Sequence, residues 1–315
     1  MGADVTLWFS FNLIIILLLL IDLGVQSRKP HVVSPKEAAS WSTVWIAVAL
    51  AFNALVYAWY GDERALEFLT GYLIEKSLSV DNMFIFVMIF SYFNIPAIWQ
   101  PKVLKWGIVG ALAMRAALIF VGAAALEAFH WIIYLFGAAL IVTGVRMITQ
   151  KETHVEPEKN LAVRLFKRIM PVTEELRNEK FFVKENWITY ATPLLIALVV
   201  VETTDLIFAI DSIPAIFAVT TDTFIVYTSN VFAILGLRAL YFLLSGALRR
   251  FTYLKVGLAI ILLFVGAKML VSDLYQVPIA LSLGVVLGTL AISIIASWAS
   301  KTTGNPLLQK PLIVR

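Results

Sequence analysis

The sequence predicts an all-α, polytopic transmembrane helix bundle of about nine spans, organised around an inverted repeat of three-helix units. Three observations carry that expectation: an apolar composition, the length and spacing of the apolar runs, and self-similarity between two stretches of the chain. Hydrophobic residues make up 60% of the 315 and charged residues only 15%, where a soluble domain carries about 25% charged residues. Mean hydropathy is +0.87. Such a chain has too little polar surface to cover itself in water, so a lipid bilayer must form part of its solvent. With 0 cysteines, disulfides and thiolate–metal sites are excluded. The net charge of +4 lies mainly in the connections and reads as membrane topology, with no nucleic-acid footprint.

Runs of about 17–25 mostly apolar residues mark spans. They fall at 6–25, 41–60, 67–93, 103–125, 130–149, 188–219, 225–246, 253–273 and 277–299. The first has no basic leader region and no small-residue cleavage site, so it reads as a retained span and not a signal peptide. Arg28, Lys29, Lys36, Lys102, Lys105, Arg249, Arg250, Lys255, Lys301, Lys310 and Arg315 occupy one parity of connections. Asp62, Glu63, Glu127, Asp222 and Asp273 occupy the other, with Arg64 as the exception. The excess of Lys and Arg on cytoplasmic connections then places the N-terminus outside and the C-terminus inside.

The expected organisation is two N-terminal spans over 1–66, a first three-helix repeat over 67–149, a charged linker over 150–187, a second repeat over 188–274, and a last span with a tail over 275–315. Within the linker, Arg164, Lys167 and Arg168 are interleaved with Leu161, Leu165, Phe166 and Ile169, the pattern of a basic amphipathic helix on a membrane surface.

The repeat rests on three matches at nearly the same offset. Leu140-Ile141-Val142-Thr143-Gly144-Val145-Arg146-Met147 parallels Leu262-Leu263-Phe264-Val265-Gly266-Ala267-Lys268-Met269. Arg115-Ala116-Ala117 parallels Arg238-Ala239-Leu240, and Asp81-Asn82-Met83-Phe84 parallels Asp205-Leu206-Ile207-Phe208. A unit of three spans forces the second copy to enter from the opposite side. That plan recurs in secondary transporters, whose sites lie near the midplane on discontinuous helices.

The third and sixth spans carry the chemistry. Glu75, Asp81, Glu202, Asp205 and Asp211 would each cost roughly 2.5–3.5 kcal/mol as isolated ions at the bilayer centre. They persist only if protonated, paired, or facing a hydrated or ion-filled cavity. Glu202 and Asp205 share a helix face, whereas Asp211 lies about half a turn out of phase. Pro214 removes a donor and crowds the carbonyl of Ile210, so the reading expects a helix break beside Asp211, with free carbonyls and Ser212 near it. Glu75, Ser79 and Asn82 stack on one face, with Asp81 about a third of a turn away.

Carboxylates, amide oxygen, hydroxyls and carbonyls form a hard oxygen set suited to manganese, magnesium or calcium. The candidate ligands are Glu75, Asp81, Asn82, Glu202, Asp205 and Asp211, with Lys76, Ser79, Ser212, Arg115 and Arg238 as charge or hydrogen-bond partners. His31, His130 and His154 sit in loops or at a span end, which argues against a soft metal. Carboxylates also take protons, so metal-for-proton exchange is open. The competing reading pairs the acids with Lys76, Arg115, Arg238 and Lys268 simply to knit the bundle.

The words Gly71-Tyr72-Leu73-Ile74-Glu75-Lys76-Ser77-Leu78-Ser79-Val80-Asp81-Asn82 and Thr203-Thr204-Asp205-Leu206-Ile207-Phe208-Ala209-Ile210-Asp211-Ser212-Ile213-Pro214-Ala215 resemble the TerC family of bacterial membrane proteins, in its Alx-like branch. Ser229-Asn230-Val231-Phe232-Ala233-Ile234-Leu235-Gly236-Leu237-Arg238 carries the same resemblance, which spans nearly the whole chain. It implies a bacterial cytoplasmic-membrane protein exporting manganese, tied to alkaline-pH responses and to metal supply for exported proteins. The older association is with tellurium resistance. Manganese rests on the resemblance; the residues alone give a hard divalent cation.

Three rival functions compete with export of a cation. An oxyanion exporter conflicts with an acid-lined cavity unless Arg115 and Arg238 dominate it. A membrane enzyme lacks a nucleophile–base arrangement or a zinc-protease word, and no organic cofactor is implied. A scaffold or stress-resistance protein working with other membrane proteins does not need duplicated acidic helices, though the linker could dock a partner.

Overall fold

The computed structural model describes residues 5–25, 32–149, 160–185, 187–245 and 253–300. Arg28, Lys29, Arg249, Arg250, Lys301, Lys310, Arg315, His31 and His154, together with the first part of the linker and the tail, lie outside the described residues. In chain order the elements are α1 (Val5–Val25), α2 (Pro35–Tyr60), α3 (Asp62–Tyr92), α4 (Gln100–Ala128), α5 (Ile132–Thr149), α6 (Leu161–Ile169), β1 (Phe182–Glu185), β2 (Ile188–Ala191), α7 (Pro193–Phe217), α8 (Thr223–Ile234), α9 (Leu237–Leu244), α10 (Leu254–Leu270) and α11 (Ile279–Ala299).

The molecule is a multi-pass membrane helix bundle. Among the described residues six helices are long and apolar enough to cross a bilayer, and the bent pair α8–α9 makes a seventh. α10 is shorter at 17 residues, and α3 is long but carries Asp62, Glu63, Arg64, Glu67, Glu75, Lys76 and Asp81. Ile14, Leu17 and Leu20 of α1 and Ile292 and Ile295 of α11 stand exposed. A water-soluble protein avoids such wide apolar faces; here they face lipid.

Local signals fix the ends of the elements. Ser34 caps α2 by accepting from the Glu37 amide at 3.2 Å, with Pro35 opening the helix. Asp222 caps α8 through the amides of Phe224 and Ile225, and Asn160 caps α6 through Ala162 and Val163. Each side chain satisfies amides that a helix start leaves without a partner.

The all-α bundle holds, and two finer expectations are corrected. The linker ends in a short hairpin in which β1 and β2 pair antiparallel with Phe182 opposite Ala191, so residues 188–191, read as the start of a span, belong to that hairpin. Pro193 then opens α7, and Thr192 Oγ1 donates to the Lys180 carbonyl at 2.7 Å. The second correction concerns the broken helix. α7 runs unbroken through Asp211 and Pro214, because Pro214 stands in its last turn, which still closes through Ala218 N to Pro214 O at 3.0 Å.

The break falls instead in the next span. α8 and α9 meet at 43°, where Gly236 adopts φ +80°, a conformation that favours glycine. Trp45 of α2 packs into the place a side chain would take, 2.7 Å from where a Cβ at Gly236 would stand.

One interior apolar cluster joins α1, α2, α3 and α8, including Phe11, Phe68, Tyr227 and Phe232. A second joins the later half of α3 to α4, α7 and α9 through Phe86, Ile108, Val201 and Tyr241. α5 and α10 cross so closely that a Cβ on Gly144 would meet Leu263 and the Ala259 carbonyl, and a Cβ on Gly266 would meet Ile141 and the Gly137 carbonyl. Small residues permit this backbone approach. α6 lies on the surface: Val163 is buried against the bundle while Leu161, Leu165 and Ile169 are exposed.

Candidate metal site

α3, α4, α7 and α8 converge on one buried guanidinium. Arg115 on α4 donates from Nη2 to Asp205 Oδ1 at 2.9 Å and from Nε to Asp205 Oδ2 at 3.1 Å, the two-pronged geometry that gives Arg–carboxylate pairs their specificity. Its Nη1 donates to Glu75 Oε1 and lies 3.4 Å from Ser212 Oγ. Asn230 on α8 donates from Nδ2 to the other Glu75 oxygen at 3.2 Å. Glu75, Arg115, Asp205, Ser212 and Asn230 are all buried.

Helix phase explains who takes part. Asp205 and Ser212 are seven residues apart on α7, about two turns, so both face α4. Glu202, one turn before Asp205, lies against Gly110 of α4, where any Cβ would overlap its carboxylate. Its Oε2 is buried with no hydrogen-bond partner among the described residues. Asp211, half a turn out of phase on an unbroken helix, faces α5 instead and accepts from Thr143 Oγ1 at 3.0 Å.

The remaining candidates lie elsewhere. Asp81 is half-buried on α3, within electrostatic reach of Lys255 at the start of α10. Ser79 and Asn82 are buried on the Glu75 face of α3. Arg238 pairs with Asp22 of α1, donating from Nη2 to its Oδ2 at 2.8 Å and its carbonyl at 3.2 Å. Among the described residues Lys76 pairs with no carboxylate: its Nζ lies 3.1 Å from the Ala233 carbonyl and 3.4 Å from the Leu235 carbonyl, capping the broken end of α8 as a cation should.

The six candidate ligands therefore do not form one cluster. Glu75 and Asp205 meet through Arg115, Glu202 stands next to Asp205, and Asp81 and Asp211 stand apart. Among the described residues no three acidic, histidine or cysteine side chains come together to hold a metal. Asn230, Thr143 and Gly110 were missed as site residues. A lone Asn beside Ser229 in the apolar helix α8 was the available signal for the first.

Two carboxylates face one guanidinium, so the centre carries an excess of acceptor oxygen and, with all three ionised, one negative charge. Such a group inside a membrane protein marks a polar pathway or a structural lock. Fold and site together define a polytopic membrane protein with an ionic centre between its helices. Residues 60–305 match the Integral membrane protein TerC family, and the chain belongs to that family. Membrane protein STKORF319 of Myxococcus xanthus is 54% identical over 291 residues, covering 92% of this chain and 91% of its own length. The proteins named "Putative membrane-bound redox modulator Alx" of Salmonella typhi and of Escherichia coli strain K12 are each 50% identical over 305 residues, covering 93% of this chain and 94% and 95% of theirs. No solved structure matches the chain.

Proposed function

We propose that this chain is a transporter, not an enzyme, that exports a divalent metal ion, manganese foremost, from the bacterial cytoplasm in exchange for protons. The observation that carries the reading is the buried pair Glu75 and Asp205 with the neutral oxygens of Ser212 and Asn230 around it. This is a hard donor set at membrane depth with more carboxylate than cation. Manganese and the outward direction come from the family resemblance.

The proposal includes nine crossings with the N-terminus outside, and an inverted repeat of α3–α5 and α7–α10. The α5–α10 crossing supports the repeat. Gly144 approaches Leu263 and Ala259, while Gly266 approaches Ile141 and Gly137. Gly266 matches Gly144, Leu263 matches Ile141, and Ala259 matches Gly137 at one common offset, so each contact is the image of another under a two-fold operation.

The relatives' name speaks of redox modulation. With 0 cysteines this chain has no thiol of its own to exchange, so a redox effect would act through metal supply. A scaffold without transport activity draws on the same ion pairs, read as a static lock. Flux decides. Purified protein in liposomes loaded with a manganese-sensitive dye should pass Mn2+, and Asp205→Asn should abolish the flux. Asp211→Asn, further from the centre, should reduce it. Flux that survives Asp205→Asn would remove the site assignment, and no flux of any divalent ion would favour the scaffold.

A further inference from the structure

We infer that Arg115 is a tethered counter-cation that holds the place of the metal ion, and that ion entry proceeds by displacing its Nη1 arm from Glu75 toward Asp205. The inference rests on the transport reading above and adds an exchange step within it, together with Asn230 as a further ligand.

The geometry is unequal on the two sides of the guanidinium. Asp205 is gripped by two nitrogens, Nε and Nη2, at 3.1 and 2.9 Å. Glu75 is held by Nη1 alone, which it shares with Ser212. A forked contact is harder to break than a single one, so the Glu75 arm is the one that yields. Opposite that arm stands Asn230, 1% exposed. Its Nδ2 donates to Glu75, yet the oxygen of the same amide, Oδ1, is buried with no hydrogen-bond partner among the described residues.

A buried acceptor without a donor costs free energy unless something fills the need at another moment of the cycle. A divalent cation beside Glu75 would satisfy it. An oxygen of Glu75, Asn230 Oδ1 and the hydroxyl of Ser212 are all acceptors of the kind such an ion takes. Charge follows the same logic. With Arg115 between them, the two carboxylates keep one unneutralised charge. An ion that binds Glu75 supplies the cation Arg115 withdraws, and Arg115 stays neutralised by Asp205. When the ion leaves, Arg115 returns and the empty site is never two bare carboxylates in a low-dielectric interior. Competition of this kind weakens binding and speeds release, which a carrier needs and a storage site does not.

The test compares Mn2+ affinity, by titration calorimetry of detergent-solubilised protein, with Mn2+ flux in liposomes. Arg115→Gln removes the competitor: affinity should rise about tenfold, within the usual span of coupling between two ligands, while steady flux falls because release is slowed. Arg115→Lys keeps a tethered charge that cannot fork, so affinity should rise less, about threefold. Asn230→Leu should weaken Mn2+ binding in wild type and in Arg115→Gln alike.

A merely structural arginine would lower affinity and flux together in both Arg115 variants, which would overturn the inference. So would unchanged affinity in both. If Arg115→Gln does not fold, Arg115→Lys decides alone by the same criterion. Wild-type protein that neither binds nor moves Mn2+ would instead sink the transport reading on which this step stands.

Discussion

Arg115 and Arg238 occupy matching positions in the two parallel stretches of the sequence, and both end up buried and paired. Their partners differ. Arg115 joins side chains from two other helices, Glu75 of α3 and Asp205 of α7. Arg238 spends its contacts on one residue, the carboxylate and carbonyl of Asp22 on α1. The first centre has surplus negative charge and a neighbouring amide oxygen without a partner; the second is a one-to-one pair. A balanced pair between a core helix and a peripheral one is a clamp. An unbalanced centre between core helices is the one to which the transport proposal assigns the ion. Residues at matching positions of the two stretches thus sit in different surroundings, and beyond the break at Gly236 α9 packs against α2.

The largest effect should follow loss of Arg115. Removing one partner of a buried ion pair costs about 3–5 kcal/mol, and here two carboxylates lose theirs at once. Arg115→Gln should lower the melting temperature strongly in metal-free buffer, and Mn2+ should restore much of it, since a ligand that binds only the native state stabilises it. Wild type should respond less to Mn2+. A metal-independent loss would reduce the centre to a clamp like the other.

Next comes Arg238. Arg238→Met alone strands Asp22 and should cost about 3–5 kcal/mol. The pair Asp22→Leu with Arg238→Met should recover most of that stability, because an apolar pair of similar volume often replaces a buried ion pair at no loss. Mn2+ flux should then stay near wild type. Flux abolished in a stable double variant would show that Arg238 belongs to the transport path and that the contrast between the two arginines is wrong.

The hinge between them is smaller but direct. Gly236→Ala forces a Cβ into the left-handed region, about 1–2 kcal/mol, and into Trp45. Stability should fall by somewhat more than that figure. Gly236→Ala combined with Trp45→Gly, which also removes the Trp45 Cβ lying nearest, should show a favourable coupling equal to the steric part alone, which a double-mutant cycle measures.

How much of this was readable beforehand follows from range. Helices α2, α4 and α11 follow from apolar runs, whereas the Ser34 cap of α2 is a local signal that the periodicity does not use. Gly144 and Gly266 stood out by self-comparison. Arg115 was expected as a charge partner, but its role as the hub joins residues 40 and 90 positions away, and no periodicity encodes that choice. Pro214 suggests a break that the last turn of α7 absorbs, whereas the break at Gly236 depends on Trp45, a residue distant in sequence, packing against it. Asn230 was invisible as a ligand because its meaning lies in an oxygen left over after Glu75 has taken the amide. Asp211, nine residues beyond Glu202 and so about half a turn from it on a straight helix, meets Thr143 of α5.

The smallest expected effect lies at the exposed end of the α5–α10 pair. Asp273, in the turn after α10, accepts hydrogen bonds from Tyr134 and, at 3.2 Å, from His130. These bonds favour the ionised carboxylate, Tyr134 first and His130 second, and hold it below the ordinary aspartate value of 3.8. The native state therefore gives up this proton more readily than the unfolded chain. Its contribution is fully present above the ordinary value and is lost as pH falls through the lowered one. Both partners of the contact with His130 are half-exposed or more, so solvent screens it and the contribution is slight. Asp273→Asn should leave Mn2+ flux unchanged and shift the melting temperature only marginally at neutral pH, with the two melting curves converging in acid. A large shift at neutral pH would mean that the exposed tie, and not the glycine crossing beneath it, holds α5 to α10.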